Sequence, residues 1–175
     1  MNDRASDGCA PAGTKPLCPA RTAPDGSSIA LVRDEAGRQL LYVTGAIDAF
    51  HGEAAGGGLL CPTTPENATA LADRFNWLKP QRIPEDRTSF GFGDRIGIAG
   101  PGHLKALRSS AVFPVLAQQS VRENARTGRT FADVLASAAF AAFREGYTDG
   151  FGADADHLKE IPDALEAAKL VAHQQ

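Results

Sequence analysis

A chain of 175 residues, 43% hydrophobic and 22% charged, is long enough for one ordinary domain with a sizeable core. Eighteen basic residues against twenty-one acidic ones, a formal charge of -3, leave no positive excess to hold a phosphate backbone, which excludes nucleic acid as a principal partner. The longest nearly apolar run, Leu135 to Phe143, falls far short of the ~18 residues that span a bilayer, so no membrane partner is expected either.

Residues 1–27 are dominated by Ala, Pro, Gly, Ser, Thr and Asp, and offer little apolar surface to offset the entropy of ordering a backbone. A disordered amino-terminal segment is the expectation. No apolar stretch with basic flanks and a small-residue cleavage site is readable up to Thr22, which points to the cytoplasm. Ser28–Arg33 and Arg38–Thr44 are branched and apolar, and Gly37 between them suits a turn, so they read as a hairpin. After a polar, glycine-rich stretch from His51 to Thr64, Ala68, Leu71, Ala72, Phe75 and Leu78 recur at helical spacing up to Pro80. Together these predict a small α+β segment over residues 28–86.

From residue 87 onward, short apolar or glycine-rich runs alternate with longer helical patterns, which is the grammar of βα units. Thr88 to Ile98 predicts a strand, and Pro101 opens a helix, having no N–H to waste in a first turn. Ala111 to Ala117 predicts a second strand, with Pro114 tolerable only near its start or on an edge. Thr130 to Tyr147 is the best-signalled helix: Thr130 and Asp133 form a capping pair, Phe131, Val134, Leu135, Ala138, Ala142 and Phe143 share a face, and Gly150 and Gly152 stop it. A third unit runs from Phe151–Asp154 into a helix over Pro162–Ala172.

In parallel α/β folds ligands bind at the carboxyl ends of the strands, so the polar residues after each apolar run are the ones to inspect. Gly91-Phe92-Gly93-Asp94-Arg95 lacks the GxGxxG spacing, since Gly97 comes one residue late, and reads equally as a turn carrying an Asp-Arg pair into solvent. Gln118 and Gln119 directly after a buried strand are unusual, because an unpaired buried amide costs roughly 1–3 kcal/mol, and hydroxyl-rich ligands satisfy such groups. Their bland alternative is capping of nearby backbone. Asp154, Asp156 and His157 bring carboxylate and imidazole donors suited to Zn, Mn, Ni or Co. In an extended segment Asp154 and Asp156 face one way and His157 the other, so a turn after Asp156 is needed to aim all three at one ion. A solvated loop with a helix N-cap is the alternative there. Cys9, Cys18 and Cys61 have neither CxxC nor zinc-finger spacing and read as reduced bystanders; His51, His103 and His173 read as surface histidines. No GxSxG or GxxxxGK[ST] is present.

Four ordered blocks are familiar: Ser89–Gly97, Phe113–Asn124, Arg126–Thr130, and Glu145–Tyr147 continuing through Gly150–Lys159. They resemble the amino-terminal part of the tagaturonate epimerase family, from near Thr88 to Lys159. The resemblance implies a metal-dependent isomerase that interconverts D-tagaturonate and D-fructuronate in hexuronate catabolism, on a TIM-type barrel of which residues 87–175 hold the first three βα units. It implies Asp156 as the catalytic proton acceptor and His157 as one ligand of a divalent cation. Arg95, Gln118, Gln119 and Asp154 are added as substrate contacts for a small-molecule sugar acid.

The inverted carbon of such a substrate is β to the ketone, so enolisation cannot invert it, whereas retro-aldol cleavage and re-addition can. A closed barrel has eight units. The three counted here lead to the expectation of a truncated or split chain, inactive alone, prone to self-association or to pairing with a complementing chain, and exposing Val115, Leu116 and Phe151. The alternatives are a non-catalytic α/β fragment or partner subunit, or another metal-dependent sugar aldolase or isomerase.

Overall fold

The computed structural model describes residues 10–156, 158 and 160–172. The chain forms two compact units, one ending at Arg74 and the other starting at Phe75. Both α-helices and β-sheets are present, as the mixed α/β reading requires.

The first unit is an antiparallel sheet followed by one helix. Its strands are β1 (Thr14–Pro16), β2 (Arg21–Thr22), β3 (Ser28–Asp34), β4 (Gln39–Thr44), β5 (Glu53–Ala55) and β6 (Gly58–Pro62), and its helix is α1 (Pro65–Arg74). The path across the sheet is β1-β3-β4-β6-β5, with β2 also paired to β3. The expected hairpin is β3–β4, with Leu31 opposite Leu41. Its turn is closed by Asp34, whose carboxylate accepts from the Arg38 backbone N–H at 2.8 Å and from Arg38 Nε at 2.7 Å, while Gly37 takes φ 84°. Ile29, Leu31, Val32, Leu41, Val43, Cys61 and Leu71 are wholly buried and form this unit's core.

Two expectations are corrected in or beside this unit, and one hairpin is added. Residues 10–27 are ordered: β1 and β2 lie antiparallel on β3, Leu17 N–H donates to Leu31 O at 2.8 Å, and Cys18, Ala23 and Ser27 are buried. Backbone pairing to a strand already in place, which needs no apolar side chains, supplies the order that composition hid. The polar, glycine-rich stretch 51–64, to which the sequence pattern assigns no element, holds the β5–β6 hairpin, whose twin glycines Gly56 and Gly57 take φ 55° and 85°, as a type I′ turn demands. Finally, the chain divides at 74/75 and not at 86/87, because Phe75 and Trp77 both pack on Phe143 of the second unit.

In the second unit Asn76–Leu78 form a short 3-10 turn, followed by β7 (Ser89–Gly93), α2 (Gly100–Leu107), β8 (Phe113–Ser120), α3 (Val121–Thr127), α4 (Phe131–Glu145), β9 (Gly152–Asp156) and α5 (Ile161–Ala172). All three strands are parallel in the order β7-β8-β9, so each expected βα unit forms. Pro114 is the second residue of the central strand, opposite Phe90, where its missing N–H is tolerable. The capping box of α4 is complete, with Thr130 Oγ1 accepting from Asp133 N–H and the Asp133 carboxylate accepting from Thr130 N–H, and it is Gly146 at φ 63°, ahead of Gly150 and Gly152, that ends the helix. α4 packs on β8 and α2. Phe143 is fully buried, its ring parallel to Trp77 within 3° at 6.2 Å and tilted against Phe75 at 5.5 Å.

α3 is an addition to the expected elements, started by Ser120 as N-cap to Glu123 N–H and stopped by Gly128 at φ 68°. Val115, Leu116 and Phe151, expected to be exposed, are buried at 5%, 5% and 0%. Val115 and Leu116 lie on the central strand, which has a strand on either side and α4 packed against it. Among the described residues no helix is long and apolar enough to cross a membrane.

Candidate functional site at the carboxyl ends of three parallel strands

Alternation along β8 separates its two terminal glutamines. Ala117 lines a small apolar cavity together with Ala153 and Ala155 of β9 and Phe131, Val134 and Leu135 of α4, which marks that face of the sheet as the helix side. Gln119, two residues after Ala117, follows it to that side and is buried at 5%, with its Nε2 unpartnered among the described residues. Gln118 takes the other face. Its register partner on β9 is Asp154, and Gln118 Nε2 donates to Asp154 Oδ2 at a long 3.4 Å.

On the far side of Gln118 lies Gly91 of β7. A Cβ built at Gly91 would collide with the Gln118 carboxamide, so the missing side chain leaves the space in which that carboxamide lies. The register pairs Gln118 with Gly93 on β7 and with Asp154 on β9, and the Gln118 carboxamide lies between the Gly91 backbone and the Asp154 carboxylate, near the carboxyl ends of three neighbouring parallel strands. Two of the expected contact residues, Gln118 and Asp154, are brought together, and Gln119 is directed away from them.

The loop after β7 is built around Asp94. Its Oδ1 accepts from the backbone N–H groups of Gly97 (2.8 Å) and Ile98 (3.1 Å), and its Oδ2 from those of Ala99 (2.7 Å) and Gly100 (3.1 Å). These are the N–H groups that α2, opening with Gly100, leaves without intrahelical partners, together with those of the turn before it. The Asp94 carbonyl accepts from Arg129 Nη1 at 2.9 Å, and Arg129 Nη2 reaches Asp133 O at 3.1 Å and Ser137 Oγ at 2.8 Å. Asp94 is therefore a structural anchor, where the sequence had suggested a solvent-facing Asp-Arg pair. A signal was available: Asp followed by glycines at 97 and 100 and by Pro101 is a helix-entry pattern. Arg95 is 74% exposed and lies 3.4 Å from Glu123 Oε2.

Asp156 is the last residue of β9, in register with Ser120, and its side chain lies outside what is described. His157 lies outside the described residues altogether. Among the described residues no three His, Cys, Asp or Glu side chains converge, so the described donors alone do not fit a cation shell. Burial raises the Cys61 thiol to about 11, which makes it inert at neutral pH.

Comparison with known proteins shows the family of the chain. The tagaturonate epimerase family, UxaE, matches residues 23–172, reaching well before the blocks that begin at Ser89. A tagaturonate/fructuronate epimerase of Thermotoga maritima is 45% identical over 152 residues, which span 83% of this chain and 31% of the relative. Crystal structures of the fructuronate-tagaturonate epimerase UxaE from Cohnella laeviribosi, one with glycerol and one native, match with TM-scores of 0.81 and 0.80 at 41% identity, over 86% of this chain and 31% of theirs. The chain spans about a third of the length of these relatives. It belongs to the tagaturonate epimerase family.

Proposed function

We propose that this chain contributes the first βα units of a barrel-borne epimerase that interconverts D-tagaturonate and D-fructuronate in cytoplasmic hexuronate catabolism. The observation that carries the reading is the pair Gln118 and Asp154, an amide and a carboxylate brought together at the strand ends with room left by Gly91, in a member of this family. Amide and carboxylate groups together can both donate to and accept from sugar hydroxyls. In the proposed reaction Asp156 takes the proton of the hydroxyl on the carbon to be inverted. The bond from that carbon to its neighbour next to the ketone breaks, leaving an aldehyde and an enolate, and re-addition to the other aldehyde face inverts the centre. A divalent cation, Zn, Mn, Ni or Co, with His157 among its ligands belongs to the proposal, its other ligands coming from beyond the described residues.

The test is a chimera in which this chain replaces the matched region of the Thermotoga maritima relative, assayed by NMR with either hexuronate. Interconversion is expected, with Asp156→Asn lowering turnover by about 10²-fold or more while metal content holds. His157→Ala is expected to lower both turnover and metal content. A folded chimera without turnover would sink the functional reading, and unchanged metal content in His157→Ala would remove His157 from the ligands.

A further inference from the structure

Arg95 is gathered with two further guanidinium groups on one carboxylate. Glu123, 12% exposed, lies 3.2 Å from Arg126 Nη1, 3.4 Å from Arg95 Nε and 3.8 Å from Arg122 Nε, so both of its oxygens are engaged. The three arginine side chains are 64–76% exposed. Three positive charges around one negative charge leave a local excess of +2 in a chain whose overall charge is -3. Each guanidinium carries five N–H donors, far more than one carboxylate can accept.

The position is as informative as the charge. Arg95 follows β7 by two residues, and Arg122 and Arg126 stand on α3, which starts where β8 ends. All three therefore belong to the same end of the sheet as Gln118 and Asp154. Arg95 is also firmly based, since its neighbour Asp94 is tied through both carboxylate oxygens and its carbonyl. Glu123 orients the cluster while leaving most of its donors to solvent.

We infer that Arg95, Arg122 and Arg126, gathered by Glu123, form the subsite that receives the carboxylate of a sugar-acid ligand. Guanidinium groups match a carboxylate in planarity and can bind it in bidentate fashion, and they discriminate an acid from the corresponding neutral ketose by charge. The inference rests on the sugar-acid reading above. An inorganic anion such as phosphate shares the chemistry, and the test separates the two.

The experiment is a titration of the 175-residue chain, followed by amide chemical shifts and calorimetry, with D-tagaturonate, D-tagatose and inorganic phosphate as separate ligands. Arg95→Gln, Arg122→Gln and Arg126→Gln are compared with Arg38→Gln, which removes the same charge at the β3–β4 turn of the first unit. Shifts at residues 94–98 and 121–127 are expected with the acid. Affinity should fall about three- to tenfold for each cluster variant and stay unchanged for Arg38→Gln, and should weaken as salt rises. The neutral ketose should bind at least about tenfold more weakly than the acid. Equal binding of acid and ketose, insensitive to the three substitutions, would overturn the subsite and leave the sugar reading standing. Phosphate binding as tightly as the hexuronate would overturn the assignment to a sugar acid. No binding of any ligand would likewise overturn the subsite, while turnover by the chimera would still decide the wider reading.

Discussion

The two units solve the burial problem in opposite ways. In the first, antiparallel strands joined by tight turns bury consecutive residues, Ile29 through Val32 on β3 and Leu41 through Val43 on β4, and its polar groups serve closure. Asn67, fully buried, is the clearest case: its carboxamide accepts from His51 N–H and donates to the carbonyls of His51 and Pro62, each at 2.9 Å. In the second unit one sheet face is packed under α4 while the other carries Gln118 and Asp154. The polar pair stands at the strand ends, where parallel sheets leave room for side chains that do not serve the core.

The contrast can be broken or sharpened by substitution. The largest effect is expected from Phe143→Ala, which empties the aromatic cluster with Phe75 and Trp77 and should cost about 3–5 kcal/mol in denaturant unfolding. Asn67→Ala should cost about 2–3 kcal/mol, because it removes the buried partner of the His51 N–H and of two carbonyls; a loss under about 0.5 kcal/mol would deny its closing role. Asp94→Ala should cost about 1–2 kcal/mol and speed hydrogen exchange at Gly97 through Gly100. Unchanged exchange there would show that the loop holds without its anchor.

The smallest effect concerns pH. Burial raises Cys61 from an ordinary 9.0 to about 11, so the folded state favours the neutral thiol. That contribution is complete below about 9 and is lost as pH climbs towards about 11, where the unfolded chain has already ionised. Cys61→Ala should remove this part of the alkaline decline in stability, and Cys61 in the folded chain should resist alkylation at neutral pH.

What could be read from sequence was whatever local pattern decides. The cap pair Thr130–Asp133, the apolar stripe to Phe143 and the three short apolar runs each declare their element within a few residues. β1 and β2 stayed hidden because their order comes from hydrogen bonds to β3, and backbone donors look alike in every sequence. The site divides the same way. Gln118 and Asp154 stand out as polar residues after apolar runs, but their meeting across neighbouring strands depends on a parallel register that the residues themselves do not display. Likewise the Glu123 cluster joins Arg95 to α3 across a long stretch of chain, and the Asp94 carboxylate finds its four donors only once the loop has folded back.

Trp77 is the chain's single tryptophan, and it lies against Phe143 in the second unit, whereas the two tyrosines are divided, Tyr42 before the boundary and Tyr147 after it. Indole emission excited at the red edge of the absorption band therefore reports on one unit alone, without labels or engineered probes. Followed beside a whole-chain signal such as far-ultraviolet circular dichroism, it gives a built-in optical means of asking whether the two units melt together or in sequence.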